Sequence, residues 1–277
     1  MANKPVLFFA LESMRDAGIR EVGIIVGDTQ AEIRAAVGDG SQFGLEVTYV
    51  PQDAPRGLAH AVLIAESFLA GEPFVMYLGD NLLADGITGL VDEFQREAPD
   101  ALILLQHVSD PRSFGIAELD VEGRVTRLVE KPQEPRSDLA LVGVYMFGDT
   151  IWESVKAIEP SPRGELEITD AIQHLVDRGL TVRPHVVTGW WKDTGRREDM
   201  LDANRLVLDT IESRCDGTVG EDVVLEGRVV ITSEEGKRWQ FNAGDAWVIP
   251  AGFSGTWETV EPARKRYAIF EPAKPSA

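Results

Sequence analysis

Cysteine is almost absent: 277 residues contain one, Cys215. A lone thiol excludes an internal disulfide framework and fits a reducing compartment. Histidine is scarce too. His60, His107, His174 and His185 follow no ligand spacing, so no zinc site, thiol centre or Ser/His/Asp arrangement is expected. Basic side chains are outnumbered, 27 against 46 acidic, for a formal charge of −19. A field of that sign repels nucleic acid and anionic membrane surfaces, and neither is expected as a partner. A polyanionic ligand would then need local Lys, Arg or a divalent cation. No apolar run approaches the roughly 20 residues of a membrane-spanning helix. The short run from Val6 to Leu11 is interrupted at Glu12 and has neither the length nor the cleavage site of a secretory signal. A cytoplasmic protein is expected.

What is present is an alternation of apolar strands with helical patterns from Phe8 to about Arg214, the mark of a parallel sheet covered by helices. Strands are expected at 22–26, 45–50, 74–78, 101–108, 139–147 and 182–187, and helices at 31–37, 58–69 and 90–97. Each of these strands is short and mostly apolar, as when both faces of a sheet are buried. Between Gly115 and Glu130 two strand patterns flank Val121-Glu122-Gly123 and predict a hairpin. A long helix is expected from Glu198 to about Glu212. After Cys215 the texture changes to short strands and Gly-rich turns without helical period. The expected division is an α/β domain over 1–216 and a small β-rich segment over 217–277, with a frayed tail from Pro272.

Several short stretches suggest chemistry, each with a plainer reading beside it. In "YLGDN", Asp80 stands at the carboxyl end of a buried strand, where open α/β sheets bind ligands, and a carboxylate there can hold Mg²⁺ against phosphate. Asp80-Asn81 is equally an ordinary turn pair. In "WWKDTG", Asp193 offers a second carboxylate that could pinch the same ion, although Asp193 or Thr194 can also cap a helix. In "VEKP", Glu130 and Lys131 adjoin at a strand end, and Pro132 should keep Lys131 extended. Strand alternation would then part the two side chains, so a sharp bend is needed for both to touch one ligand. "PQDAPRGLAHAV" runs from a strand through a Pro/Gly loop into a helix. Gln52 there could read a base edge through its paired donor and acceptor. "RGELEITDAI" reads as a helix entry capped by Thr169 or Asp170.

Together with "NKPVLFFALESMRDAGI", "FGIAELD" and "LVGVYMF", these stretches succeed one another over Asn3 to about Val223 in an order that resembles the sugar-1-phosphate nucleotidyltransferases, and most of all the branch that acts on glucose 1-phosphate. The resemblance implies a Rossmann-like three-layer α/β sandwich. It also implies a transfer between a nucleoside triphosphate, typically dTTP, and glucose 1-phosphate, giving dTDP-glucose and pyrophosphate. Carried over residue by residue, Gln52, Gly57 and Leu58 would face the nucleobase. Asp80 and Asp193 would hold Mg²⁺. Gly115, Glu130 and Gly143 would contact the sugar, and Lys131 its phosphate.

Two departures from that family set further expectations. Its first strand and Gly-rich G-G-x-G-T-R-L loop, which cradles the triphosphate, are missing ahead of Lys4. That predicts unpaired edges at 22–26 and 74–78 and impaired or absent catalysis. From Glu226 onward the chain resembles part of a cupin, notably "GDAWVIPAGFSGTW", without the histidines on which cupin metal centres rely. Open strand edges there predict a homo-oligomer or poor solubility. A non-catalytic sugar-nucleotide-binding subunit and a cupin-type small-molecule module remain as alternatives.

Overall fold

The computed structural model describes residues 2, 4–195, 197–210, 227–242 and 254–261. The chain divides into two compact units, Met1–Ile211 and Glu212–Ala277. The domain seam expected at 216/217, Cys215, the tail and most of the cupin-like stretch lie outside the described residues. Among the described residues no helix is long and apolar enough to cross a membrane.

The first unit opens with α1 (Val6–Asp16), which starts directly after Pro5 and buries Ala10, Leu11 and Met14 on one face. Pro is well placed there because its missing N–H is one that a helix start leaves unpaired anyway. There follow β1 (Glu21–Val26), α2 (Gln30–Val37), β2 (Glu46–Pro51), α3 (Leu58–Leu69), β3 (Phe74–Tyr77), β4 (Asn81–Leu83), α4 (Thr88–Glu97) and β5 (Ala101–His107). Next come the hairpin strands β6 (Gly115–Leu119) and β7 (Val125–Glu130), then β8 (Leu139–Phe147), α5 (Ile151–Ala157), α6 (Ile168–Asp177), β9 (Val182–Val186), β10 (Trp191–Asp193) and α7 (Arg197–Thr210).

The main sheet has the order β7-β6-β8-β5-β9, with β3 also on β8. It is mixed rather than parallel, which corrects the expectation. β5 and β9 run parallel, whereas β8 is antiparallel to β3, β5 and β6. Strand and helix periodicity carries no direction, and the β6–β7 hairpin changes how the chain re-enters the sheet. Both faces are buried, as the apolar runs predict. On β8, Leu141, Tyr145 and Phe147 point into a core with α3, α5 and α6, while Val142, Val144 and Met146 point into another with α1, α4 and β1. On β5, Ala101, Ile103 and Leu105 alternate with Leu102 and Leu104 in the same way. Two layers of helices therefore sandwich one sheet, and period-2 alternation assigns each side chain to its layer.

β1 and β2 form a separate parallel pair. Among the described residues β1 pairs only with β2 and β3 only with β8. Their remaining edges border a cleft of about 1620 Å³, walled by side chains of α1 and α3. The unpaired edges expected at 22–26 and 74–78 are thus present.

In the second unit, β11 (Val229–Ser233) lies between β12 (Arg238–Phe241) and β13 (Gly255–Thr259), antiparallel to both. Val229, Val230 and Ile231 are buried.

Candidate active site

The sheet opens at Gly143. β3 leaves the edge of β8 there, with Leu78 N–H donating to the Gly143 carbonyl at 2.8 Å, and the chain turns through Asp80 into β4. Such a point of strand divergence leaves a crevice. The turn is fixed by Asn81, a carboxamide only 1% exposed. Its Oδ1 accepts from Gly143 N–H at 3.1 Å and from Trp191 Nε1–H at 2.6 Å, and its Nδ2–H donates to Asp80 Oδ1 at 2.9 Å. A Cβ on Gly143 would lie 2.7–2.8 Å from that carboxamide, so only glycine lets Asn81 seat.

β10 pairs antiparallel with β4 and sets Asp193 opposite Asn81. Thr194 locks the pair, its N–H and Oγ1–H both donating to the Asp80 carbonyl, at 2.9 and 2.7 Å. The result brings both carboxylates to one place: a Cβ on Gly195 would stand 3.1 Å from Asp193 Oδ1 and 3.9 Å from Asp80 Oδ2. Like charges so gathered favour a cation between them. Among the described residues no group of three or more His, Cys, Asp or Glu is arranged to hold a metal. Two carboxylates suit an ion such as Mg²⁺, which takes one or two from protein and the rest from water and phosphate.

Glu130 and Lys131 sit at the exit of β7. Gly115 pairs with Glu130 across the hairpin, and a Cβ there would meet Thr169 Oγ1 at 2.8 Å and Glu130 Oε2 at 3.1 Å. Thr169 Oγ1–H donates to Glu130 Oε2 at 2.7 Å, and Arg163 Nη2 reaches Glu130 Oε1 at 3.3 Å and Glu167 Oε1 at 2.7 Å. Thr169 and Asp170 are therefore not caps. α6 begins at Ile168 after Glu167, which makes no side-chain cap bond, so both residues lie inside its first turn, with the Thr169 hydroxyl engaged on Glu130. Lys131 is not extended either: its φ is +42°, against the preference of a residue before proline. This is the sharp bend that strand alternation required, and it leaves Lys131 Nζ 3.7 Å from Glu130 Oε1. Lys131 N–H also donates to the Phe114 carbonyl at 3.0 Å, and the Phe114 ring meets Trp191 edge-on at 5.4 Å. Through Phe114 and Trp191, the Glu130–Lys131 corner is tied to Asn81 and hence to Asp80.

Burial is the first cause holding the Asp170 carboxyl above its usual range, with Glu167 and Glu130 adding to it. Burial likewise pushes the Tyr77 phenol up to about 12.

The third group lies at the β2–α3 loop. Gln52 N–H donates to the Val26 carbonyl at 2.8 Å, extending the β1–β2 register by one residue. Gly57 has φ +95°, and any Cβ there would overlap the Leu166 backbone. Leu166 N–H donates to the Arg56 carbonyl at 2.8 Å, and Ala59 N–H to the Leu166 carbonyl at 3.0 Å. Gln52 and Leu58 line the same cleft as Asp80 and Thr194. Asn81, Trp191, Thr169 and Arg163 hold the candidate residues in place, a role that the short motifs do not announce. The carboxamide in "LGDN" adjoining a glycine-containing buried strand was the available clue.

Residues 1–210 match the family model for nucleotidyl transferases, and residues 212–267 match that of the EutQ-like cupin domain. The chain is 59% identical to a glucose-1-phosphate thymidylyltransferase of Streptomyces antibioticus over 83% of its own length and 65% of the relative's. It is 58% identical to that of Streptomyces griseus over 85% of its own length and 66% of the relative's. It thus spans just under two thirds of the length of these two relatives. A crystal structure from Bacillus anthracis, described as a glucose-1-phosphate thymidylyltransferase in complex with a sucrose, superposes with a TM-score of 0.70 at 33% identity, over 76% of this chain and 85% of that one. A family match across most of the chain, on a sheet that opens beside two converging carboxylates, leads to one conclusion: the chain belongs to the nucleotidyl transferase family.

Proposed function

We propose that the chain carries the sugar-nucleotide site of a sugar-1-phosphate nucleotidyltransferase that joins dTTP and glucose 1-phosphate into dTDP-glucose and pyrophosphate. The observation that carries this reading is the convergence of Asp80 and Asp193 at Gly195, beside a cleft that Gln52 and Leu58 also line. The activity named for the Streptomyces relatives supports the same substrates.

In this reaction a phosphate oxygen of glucose 1-phosphate attacks the α-phosphorus in line. A P–O bond forms there as the bond to the bridging oxygen breaks, and pyrophosphate leaves with that electron pair. Asp80 and Asp193 would hold Mg²⁺, which when bound would supply charge neutralisation on the phosphate oxygens. Lys131 sets its ammonium against the sugar phosphate. Glu130, oriented by Thr169 and Arg163, accepts from a sugar hydroxyl, while Gly115 and Gly143 keep the sugar's side of the crevice free of side chains. Gln52 reads the base, with Gly57 and Leu58 shaping the wall beside it. Positioning and charge neutralisation of this kind are what phosphoryl transfer chiefly demands, and they reconcile a −19 chain with two polyanionic substrates.

Calorimetry of dTDP-glucose with the full chain tests this reading, and pyrophosphate release from dTTP and glucose 1-phosphate reads turnover separately. Binding should weaken with EDTA and fall by about 10-fold or more in Asp80→Asn and Asp193→Asn, about 1.4 kcal/mol. Equal affinity in the parent and both variants, with and without EDTA, would contradict it.

A further inference from the structure

His60 has no part in the proposed chemistry, yet it makes a specific contact with a residue that does. Gln52 Nε2 lies 2.9 Å from His60 Nδ1, a bond that closes the β2–α3 loop across eight positions. His60 stands in the first turn of α3, and the loop between is pinned by the Leu166 bonds to Arg56 and Ala59. The loop's own charged groups, Asp53 and Arg56, are exposed and paired with each other at 2.6 Å.

A glutamine amide presents an acceptor and a donor side by side, and turning it over exchanges them. When the His60 ring carries its proton on Nε2, its Nδ1 accepts from Gln52 Nε2–H, and a turned-over amide would set its carbonyl oxygen against that lone pair; in this tautomer the amide is held one way round. Oε1 and the second N–H are then offered in a fixed order. A uracil or thymine ring answers that order with N3–H and a neighbouring carbonyl. Cytosine has an acceptor at N3 and a donor on N4, so in the same pose both contacts become like against like. A glutamine free to turn would serve both bases; a fixed one serves one class, by penalising the wrong partner.

Resting on the reading that Gln52 faces the nucleobase, we infer that His60, with its proton on Nε2, is a positioning residue for base selection: by accepting from Gln52 Nε2 it locks the amide in the orientation that takes imide bases, thymine and uracil, and rejects cytosine.

The test compares dissociation constants of dTTP and dCTP, each with Mg²⁺, on the full chain and on His60→Leu, Gln52→Ala and the double variant. His60→Leu removes the acceptor while keeping apolar bulk. The expected result is a dTTP-over-dCTP preference reduced by about 10-fold or more in His60→Leu, on the scale of a polar group left mispaired against a base. In the Gln52→Ala background, adding His60→Leu should leave the ratio unchanged. His60→Asp, whose carboxylate can only accept near the Nδ1 position, should restore most of the preference. If His60→Leu weakens both nucleotides equally and the ratio holds, His60 serves only to shape the loop and the inference is overturned. If the parent chain binds neither triphosphate, dTDP-glucose and dCDP-glucose take their place in the same comparison, and failure of these to bind as well ends the reading of the cleft and the inference with it. If the parent binds both without preference, the inference fails while the reading of the cleft stands. Should His60→Leu not fold, His60→Lys, which can only donate, must move the preference toward dCTP; an unmoved ratio overturns the inference equally.

Discussion

Asn81 is the residue on which the site turns. One buried carboxamide bonds β8, Trp191 and Asp80 together, and the glycine at 143 exists to admit it. Gly143→Ala should therefore cost about 1–3 kcal/mol, the usual range for overpacking a well-filled site, measured as a lower denaturation midpoint. Unchanged stability would show that the Asn81 seat is loose. Asp170 offers a prediction in pH. Its carboxyl is held above its ordinary range by burial, then by Glu167 and Glu130, so the folded chain binds that proton more readily than the unfolded one. This group therefore favours folding at acid pH and weakens it as pH rises through the folded value. Asp170→Asn should melt higher than the parent at pH 7, with the gap closing on acidification; a variant that melts lower at pH 7 contradicts this.

Among the elements, those long enough to show a period were readable from sequence and the shortest were not. α3 matches its expected range of 58–69 residue for residue, and β8 its 139–147, because each repeats its pattern over several turns or pleats. β4 and β10 have three residues each, too few for alternation to register, and both look like turns; yet this pair brings Asp80 to Asp193. α5, seven residues long, escaped for the same reason. The bend at Lys131 ran against the local rule for a residue before proline, and tertiary bonds outvote that rule here. A side chain at positive φ costs on the order of 1–3 kcal/mol. Lys131→Gly should accordingly be no less stable than the parent, while the β-branched Lys131→Val loses about 1–3 kcal/mol in denaturant titrations. Equal stabilities for the two variants would mean that no strain is stored there.

At the scale of the molecule, the apolar runs reveal a sheet buried on both faces but not the direction of its strands, because burial depends on side-chain pattern and direction depends on where the chain crosses over. Leu104 on β5 is fully buried, and Leu104→Ala should cost about 2–5 kcal/mol, read by thermal or chemical unfolding. For a chain of charge −19, the proposed binding of anions rests on whether two acidic groups share one cation. The most direct measurement is a titration of Mn²⁺, followed by electron paramagnetic resonance, into the full chain with dTDP-glucose present. One tight ion per chain is expected, released when either Asp80 or Asp193 is changed to Asn. A bound ion that survives both substitutions would contradict it.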